Sequence, residues 1–266
     1  MICTQGECNG YDYICLQSSP LHGVLSSGYW PPEDSALTVI KQNPKVSSGF
    51  LAAVNGSRLY FKRFPMPGWS GALKRWTGWN RAMNNWTVSW RLWHQKISAP
   101  RPHALITGAH FAWYICAAVE EAVTLQEVIQ GAGADCETKS MLCERATKEL
   151  IRLHEAGIVH GDFKWGNLLV KKDRGIVITD LDSARCRRFV GPAAAAKDLA
   201  RFLVNGLEHG LNQGWALSII GRYAAERRMS AEEMTARLQP LIARVSRAHQ
   251  QKYGRKRVYL ELKKIS

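Results

Sequence analysis

In the stretch VHGDFKWGNLLV, Val159–Val170, a histidine, an aspartate and an asparagine stand at positions 160, 162 and 167, the spacing H-x-D-x-x-x-x-N. Asp180, in ITDLD, comes 18 residues after Asp162 (180 − 162) at the end of a second apolar run. Between them Leu168–Val170 and Ile176–Ile178 read as strands, with Asp173-Arg174-Gly175 as their turn. A hairpin of that length returns to its start, so Asp162, Asn167 and Asp180 are expected to converge. An asparagine carbonyl and an aspartate carboxylate suit Mg²⁺, which takes hard oxygen ligands and keeps water and substrate phosphates in its shell. A separate aspartate beside an incoming hydroxyl can accept its proton and align it with a phosphorus. The plainer alternative is a polar loop between two buried strands.

Such a loop needs elements to hold it. Residues 1–35 are polar, rich in Gly, Ser and Pro, and aperiodic, and read as an irregular arm. ALTVIK (Ala36–Lys41) suits a short strand. FLAAV and RLYFKRF form a hairpin through Asn55-Gly56, and the alternation of Leu59 and Phe61 with Tyr60 and Lys62 sets Lys62 on one strand face. From Trp79 to Lys96 the period changes: Trp79, Met83, Trp86, Trp90 and Trp93 share one helical face, and Pro100 and Pro102 stop that helix. HFAWYICAAVE reads as a buried strand, and EAVTLQEVI leads into a short helix. A helix over 139–156 turns Met141, Leu142, Ala146, Leu150 and Leu153 inward and ends at Gly157. Helices over 193–207, 214–227 and 230–249 follow, then a basic tail. The expected organisation is an arm (1–35), a strand-rich first lobe (36–122) and a helix-rich second lobe (123–266).

Composition narrows the classes. The chain has 266 residues, 46% of them apolar, enough for a sizeable core. A formal charge of +14 points to a polyanionic partner. Seven scattered cysteines with no CxxC pair argue for free thiols in a reducing cytosol rather than a zinc site. Neither a signal peptide nor a long apolar span is visible, so a soluble or peripheral protein is expected.

VHGDFKWGNLLV resembles the catalytic loop of the protein-kinase-like superfamily, and ITDLDSA resembles the metal-binding loop of its atypical members. The resemblance implies an α+β, bilobal protein-kinase-like fold, with a β-rich first lobe carrying one main helix and a mostly helical second lobe. It makes Asp162 the catalytic aspartate, His160 a residue that orients it, and Lys164 the lysine that touches the γ-phosphate. Asn167 and Asp180 become the Mg²⁺ ligands, with Asp182 either a helper or a bystander. Lys62 resembles the lysine that holds the α- and β-phosphates of ATP. Asn85 stands where a helix glutamate usually pairs with that lysine, and Glu120 and Ala122, at the end of the first lobe, are assigned to nucleotide contact.

The substrate class follows from three further features. Asp198, in AKDLARF, lies only 18 positions after Asp180 (198 − 180), and no Ala-Pro-Glu motif intervenes, which disfavours peptide substrates. Between residues 35 and 119 there are eleven Lys and Arg and no Asp or Glu. Six of the ten tryptophans lie from Trp69 to Trp93, among Lys74, Arg75, Arg81 and Arg91, a mixture that suits an anionic membrane interface. Trp86 and Trp90 are expected to pack the helix onto the sheet; for Trp69, Trp76 and Trp79 exposure and burial both stand. Over residues 36–205 the order of motifs resembles the lipopolysaccharide kinase family, which phosphorylates heptose or Kdo sugars of the core oligosaccharide. That resemblance implies ATP and Mg²⁺ as cofactors and a lipid-anchored lipopolysaccharide core, probed at the cytoplasmic face of an anionic inner membrane, as partner. No nucleic acid is expected.

Two departures stand out. Lys62 lacks a helix glutamate, since Asn85 can hydrogen-bond it but not neutralise it, and no G-x-G-x-x-G loop is present, so KQNPKVSSG must cover the phosphates. A small-molecule phosphotransferase and a pseudokinase scaffold on an anionic surface are the competing readings.

Overall fold

The alternation in RLYFKRFP decides the layering of the first half of the chain. Residues 2–30, 37–52, 56–66, 80–131, 133 and 135–260 are described in the computed structural model. They divide into two units, Met1–His94 with Ala99–Glu120, and Gln95–Ser98 with Glu121–Ser266.

The first unit is built on a seven-stranded antiparallel sheet. Its strands are β1 (Cys3–Cys8), β2 (Tyr11–Leu16), β3 (Leu37–Asn43), β4 (Val46–Ala52), β5 (Arg58–Pro65), β6 (Pro102–Thr107) and β7 (Phe111–Ala117). They lie in the order β1-β2-β6-β7-β5-β4-β3. Leu59 and Phe61 of β5 enter one core with Trp30, Trp113 and Ile115. Phe64 and Tyr60, of the opposite parity, enter a second core with Trp86 of helix α2 (Arg81–His94). Lys62 shares that parity and is buried, paired in register with Tyr114 of β7.

The N-terminal stretch is not an irregular arm. β1 and β2 form a hairpin that extends the sheet beside β6, and helix α1 (Leu21–Ser26) buries Leu21 and Leu25 in the first core. Trp30 closes this layer, its ring edge-on to Trp113 at 5.2 Å. β1 is an edge strand whose side chains mostly face water, so main-chain pairing orders it and apolar alternation does not reveal it. The turn signal was present all the same. Asn9 and Gly10 take φ of 51° and 76°, the left-handed pair an Asn-Gly hairpin turn needs. The Asn9 amide then donates to Gly28 O and Trp30 O, tying the turn to α1's exit.

β4 and β5 pair as expected on either side of Gly56, while Asn55 falls outside the described residues. β6, which follows the prolines directly, was not anticipated as a strand. In α2 the fully buried stripe is Ala82, Asn85, Ser89 and Leu92, with Trp86 and Val88. Trp86 and Trp90 do pack, edge-on at 5.5 Å, but Trp93 is exposed under the Arg101 guanidinium. Small side chains occupy the closest approach of helix to sheet, and the bulky rings flank it. Trp69, Lys74, Arg75, Trp76 and Trp79 lie outside the described residues.

The second unit carries short strands β8 (Val123–Thr124), β9 (Ile158–Val159), β10 (Leu168–Val170), β11 (Ile176–Ile178) and β12 (Arg185–Cys186). Its helices are α3 (Leu125–Gln130), α4 (Cys136–Glu155), α5 (Pro192–Glu208), α6 (Gln213–Glu226) and α7 (Ala231–Tyr253). Thr124 and Glu127 form a reciprocal capping box on α3. α4 buries Leu142, Ala146, Leu150 and Leu153 as expected, with Met141 half-buried at the edge of that stripe. A strand-rich unit with one main helix, followed by a mostly helical unit, is the α+β, protein-kinase-like organisation expected from the sequence.

Trp30 tests whether the N-terminal layer is part of the core. Trp30→Ala should lower unfolding stability by about 3–5 kcal/mol, as for other fully buried tryptophans, read from urea denaturation. An irregular arm would lose less than about 0.5 kcal/mol, the usual cost of a surface change.

Candidate active site

The site grows out of the β10–β11 hairpin, whose register sets Leu168 opposite Ile178. Continuing past that pair, Thr179 N and Thr179 Oγ1 both donate to Asn167 O at 2.9 Å. The residue before Asp180 is therefore fastened to Asn167, as the return of the hairpin requires. On the other side, Asn167 Nδ2 donates to Asp162 O at 2.9 Å and to Asp162 Oδ2 at 3.1 Å. Both amide protons being used on Asp162, Oδ1 is the atom of Asn167 with ligand chemistry. Asp162, Asn167 and Thr179 are thus linked through one chain of hydrogen bonds, and Asp180 is the next residue along the backbone.

His160 is fully buried and acts on backbone. Its Nε2 donates to Thr179 O at 3.0 Å, and its Nδ1 accepts from Asp162 N at 3.3 Å. Those two partners select the neutral Nε2–H tautomer. Burial pushes its pKa below the ordinary histidine range, in agreement. His160 is thus a positioning residue and does not reach out as an acid or base.

Gly161 lies at φ of 79°, in the left-handed region, and a Cβ there would stand 2.7 Å from Ser183 O. The catalytic loop and the turn Leu181–Ser183, which carries Asp182, approach too closely for any side chain. Asp180 itself adopts φ 59° and ψ 64°, uncommon for a non-glycine residue.

The anchor beneath the loop is Asp198 of α5, with no solvent exposure. Its Oδ2 accepts from His160 N at 2.8 Å and from His154 Nε2 at 3.2 Å, and its Oδ1 accepts from Gly161 N at 2.8 Å. Burial alone would raise its pKa, but these N–H donors, His154 first, hold it below the usual carboxylate range. His154 in turn accepts from the Tyr223 hydroxyl at 2.6 Å, so it too is the neutral Nε2–H form, its pKa lowered by burial.

Asp198 belongs to a stripe that sequence reasoning missed. Asp198, Arg201, Asn205 and Glu208 recur at offsets 0, 3, 7 and 10 along α5, one helical face. Asn205 Oδ1 accepts from Trp165 N at 2.9 Å and pins the turn Trp165–Asn167. Arg201 Nε stands 3.8 Å from Asp162 Oδ1. Glu208 holds His249 and Arg255 near the end of α7. Polar residues at three-four spacing on a helix otherwise made of Ala, Leu, Phe and Val were the available signal.

Lys164 Nζ pairs with Asp162 Oδ2 at 2.7 Å, both side chains partly exposed. Lys62 and Asn85 belong to the first unit, in the layer between sheet and α2. Asn85 Nδ2 donates to Arg81 O, and next to it Ser89 shares a 2.7 Å hydrogen bond with Tyr114. Burial raises the Cys116 thiol pKa to about 12, against the Tyr114 hydrogen bond and the Lys62 charge, both of which lower it. The KQNPKVSSG segment is the β3–β4 hairpin, where Asn43 Oδ1 accepts from Lys45 N and Val46 N. Glu120 is exposed at the end of the first unit, and Ala122 is half-buried just before β8.

A loop carrying aspartate and asparagine, fastened to a second aspartate and anchored on a buried acid, defines a phosphotransferase of the protein-kinase-like kind. Residues 70–217, more than half of the chain, match the lipopolysaccharide kinase (Kdo/WaaP) family, and the chain belongs to that family. It is accordingly a lipopolysaccharide kinase, a phosphotransferase acting on sugar hydroxyls. The matched segment includes Asn85, Asp162, Lys164, Asn167, Asp180 and Asp182, while Lys62 precedes it. No individual curated protein gives a match.

The anchor makes two predictions. In Asp198→Asn an amide offers one acceptor oxygen where the carboxylate offered two, so at least one buried N–H loses its partner; stability should fall by about 1–3 kcal/mol, with transfer activity falling alongside. The second concerns pH. His154 and His160 are lowered in the folded state, and burial takes His103 down to about 4. The unfolded chain therefore takes protons first, below its ordinary histidine pKa of about 6.5. Their contribution is fully present above about pH 6.5 and is lost as pH falls toward the folded values. The denaturant midpoint should decline between pH 7 and pH 5; a flat profile would mean these histidines protonate without penalty in the fold.

Proposed function

We propose that the chain transfers the γ-phosphate of ATP to a heptose hydroxyl of the lipopolysaccharide inner core, at the surface of an anionic membrane. The observation that supports this most is the continuous tie Asp162–Asn167–Thr179, which brings Asp180 beside the catalytic loop. Asn167 Oδ1 and the carboxylates of Asp180 and Asp182 would hold Mg²⁺, which takes hard oxygen donors of this kind. The bound ion would neutralise charge on the phosphates of ATP, as divalent ions do in this chemistry.

The chain's own residues supply the rest. Asp162 accepts the proton of the acceptor hydroxyl, and Asn167 Nδ2 fixes which carboxylate oxygen faces it. Lys164, 2.7 Å from the same carboxylate, touches the γ-phosphate. His160 holds the backbone of the loop and carries no proton in the reaction. Lys62 contacts the α- and β-phosphates, and Asn85, Glu120 and Ala122 contribute to the nucleotide site.

The membrane surface enters through charge. No helix among the described residues is long and apolar enough to cross a bilayer. A chain of net charge +14, with eleven cations and no acid over residues 35–119, is drawn to anionic lipid at about 1 kcal/mol for each cation near the surface.

Purified protein, ATP labelled at the γ-phosphate and lipopolysaccharide from a heptose-kinase-deficient strain test the reading. Wild type should transfer label to core heptose. Asp162→Ala should lose about 10²–10⁴-fold in rate, the usual worth of a positioned base, with its thermal midpoint little changed. Equal transfer by Asp162→Ala would remove Asp162 from that role.

A further inference from the structure

The short segment between Asp182 and Asp198 holds a charge pattern that catalysis does not use. From Ser183 to Lys197 its cations are Arg185, Arg187, Arg188 and Lys197, and it has no Asp or Glu. Its backbone is fastened to the strand that enters the catalytic loop. Arg185 and Cys186 of β12 pair with Val159 and Ile158 of β9, and Arg187 N donates to Gly157 O at 2.7 Å. Val190 is buried, and its carbonyl accepts from the Arg227 guanidinium at 2.9 Å. Only Arg188 and Phe189 lie between these two fixed points, and Phe189 is 73% exposed.

Pro192 and Ala193, at the start of α5, are exposed as well, and the Phe189 ring borders Gly191 just before them. Together they make a small apolar tip. Exposed cations stand on both sides of it in the chain, Arg187 and Arg188 before and Lys197 after. The Arg185 guanidinium turns back to Ala184 O. Among the described residues, none of Arg187, Arg188 and Lys197 stands in an ion pair. An apolar tip with free cations around it matches a bilayer, where anionic headgroups overlie hydrocarbon: the ring enters the boundary and the cations meet lipid phosphates. A small soluble anion would instead call for cations converging on one point, with no apolar group between them.

We propose that Phe189, with Arg187, Arg188 and Lys197 around it, docks the second unit on an anionic phospholipid surface. This rests on the reading of the chain as a kinase of a lipid-anchored core. Because β12 is paired with β9, docking at the tip also sets the catalytic loop at a fixed height over the membrane that holds the acceptor.

Sedimentation of the full chain with vesicles tests it, phosphatidylglycerol against phosphatidylcholine. Wild type should partition onto phosphatidylglycerol and little onto phosphatidylcholine. Phe189→Ser should weaken that partition about 10-fold, as for a ring withdrawn from apolar surroundings. Arg187→Gln and Arg188→Gln should weaken it about 5-fold each, the worth of one cation near the surface. Arg244→Gln removes the same charge from an exposed position on α7 and should change it little. All four side chains are exposed, so the variants keep the fold. No binding by wild type, an unchanged partition for Phe189→Ser, or equal weakening by Arg244→Gln would overturn the docking. Transfer assays separate lipid from acceptor. Phe189→Ser should raise the KM for lipopolysaccharide embedded in phosphatidylglycerol vesicles and leave the KM for delipidated core oligosaccharide unchanged. An equal rise with the soluble core would assign the tip to the acceptor sugar and overturn the docking too. Wild type that binds vesicles but transfers to neither acceptor would overturn the kinase reading alone.

Discussion

A buried carboxylate that accepts hydrogen bonds from two successive backbone amides is the constraint on which the second unit depends. Asp198 has no exposure, so its charge has to be satisfied within the protein, by His154 and by the backbone N–H groups of His160 and Gly161. Meeting that demand fixes the path of the catalytic loop. Gly161 is forced into a left-handed conformation against Ser183, and His160 is turned so that its ring bonds Thr179 O. Thr179 then carries Asp180 to Asn167. The geometry of the reactive groups is thus a consequence of where α5 places one acid. The same helix repeats the device with Asn205 under Trp165 and with Glu208 under the end of α7.

In the first unit the governing fact is a missing charge. Residues 35–119 hold no acid, and the layer around Lys62 is lined by Asn85, Ser89, Tyr114 and Cys116. Lys62 is buried in that layer, in register with Tyr114. Over residues 35–119 the cationic excess gives a field of the sign that suits an anionic surface.

The catalytic loop was legible because its chemistry demands particular residue types at fixed spacing, and because a strand–turn–strand between Asn167 and Asp180 can be read from pattern alone. The helices of the second unit were legible for the ordinary reason that their apolar stripes repeat. The β1–β2 hairpin was missed even though Asn9-Gly10 carries the signal used at Asn55-Gly56, because β1 is an edge strand held by main-chain bonds and shows no apolar alternation. Trp86 and Trp90 pack as their spacing led one to expect, whereas Trp93 on the same ring spacing is exposed and Ala82, Asn85 and Ser89 are buried. The polar stripe Asp198, Arg201, Asn205, Glu208 was hidden by a helix that otherwise reads as core. Polar residues inside such a helix are costly unless partnered, and their partners are backbone atoms that no side-chain motif reveals.

The central claim, that this scaffold phosphorylates a sugar of the lipopolysaccharide core, is tested most directly by mass spectrometry of the core from cells lacking the chain. Loss of one phosphate from a core heptose, restored by the wild-type chain and not by an Asp162→Asn chain, is the result the account predicts. A core whose mass is unchanged by the deletion would contradict it.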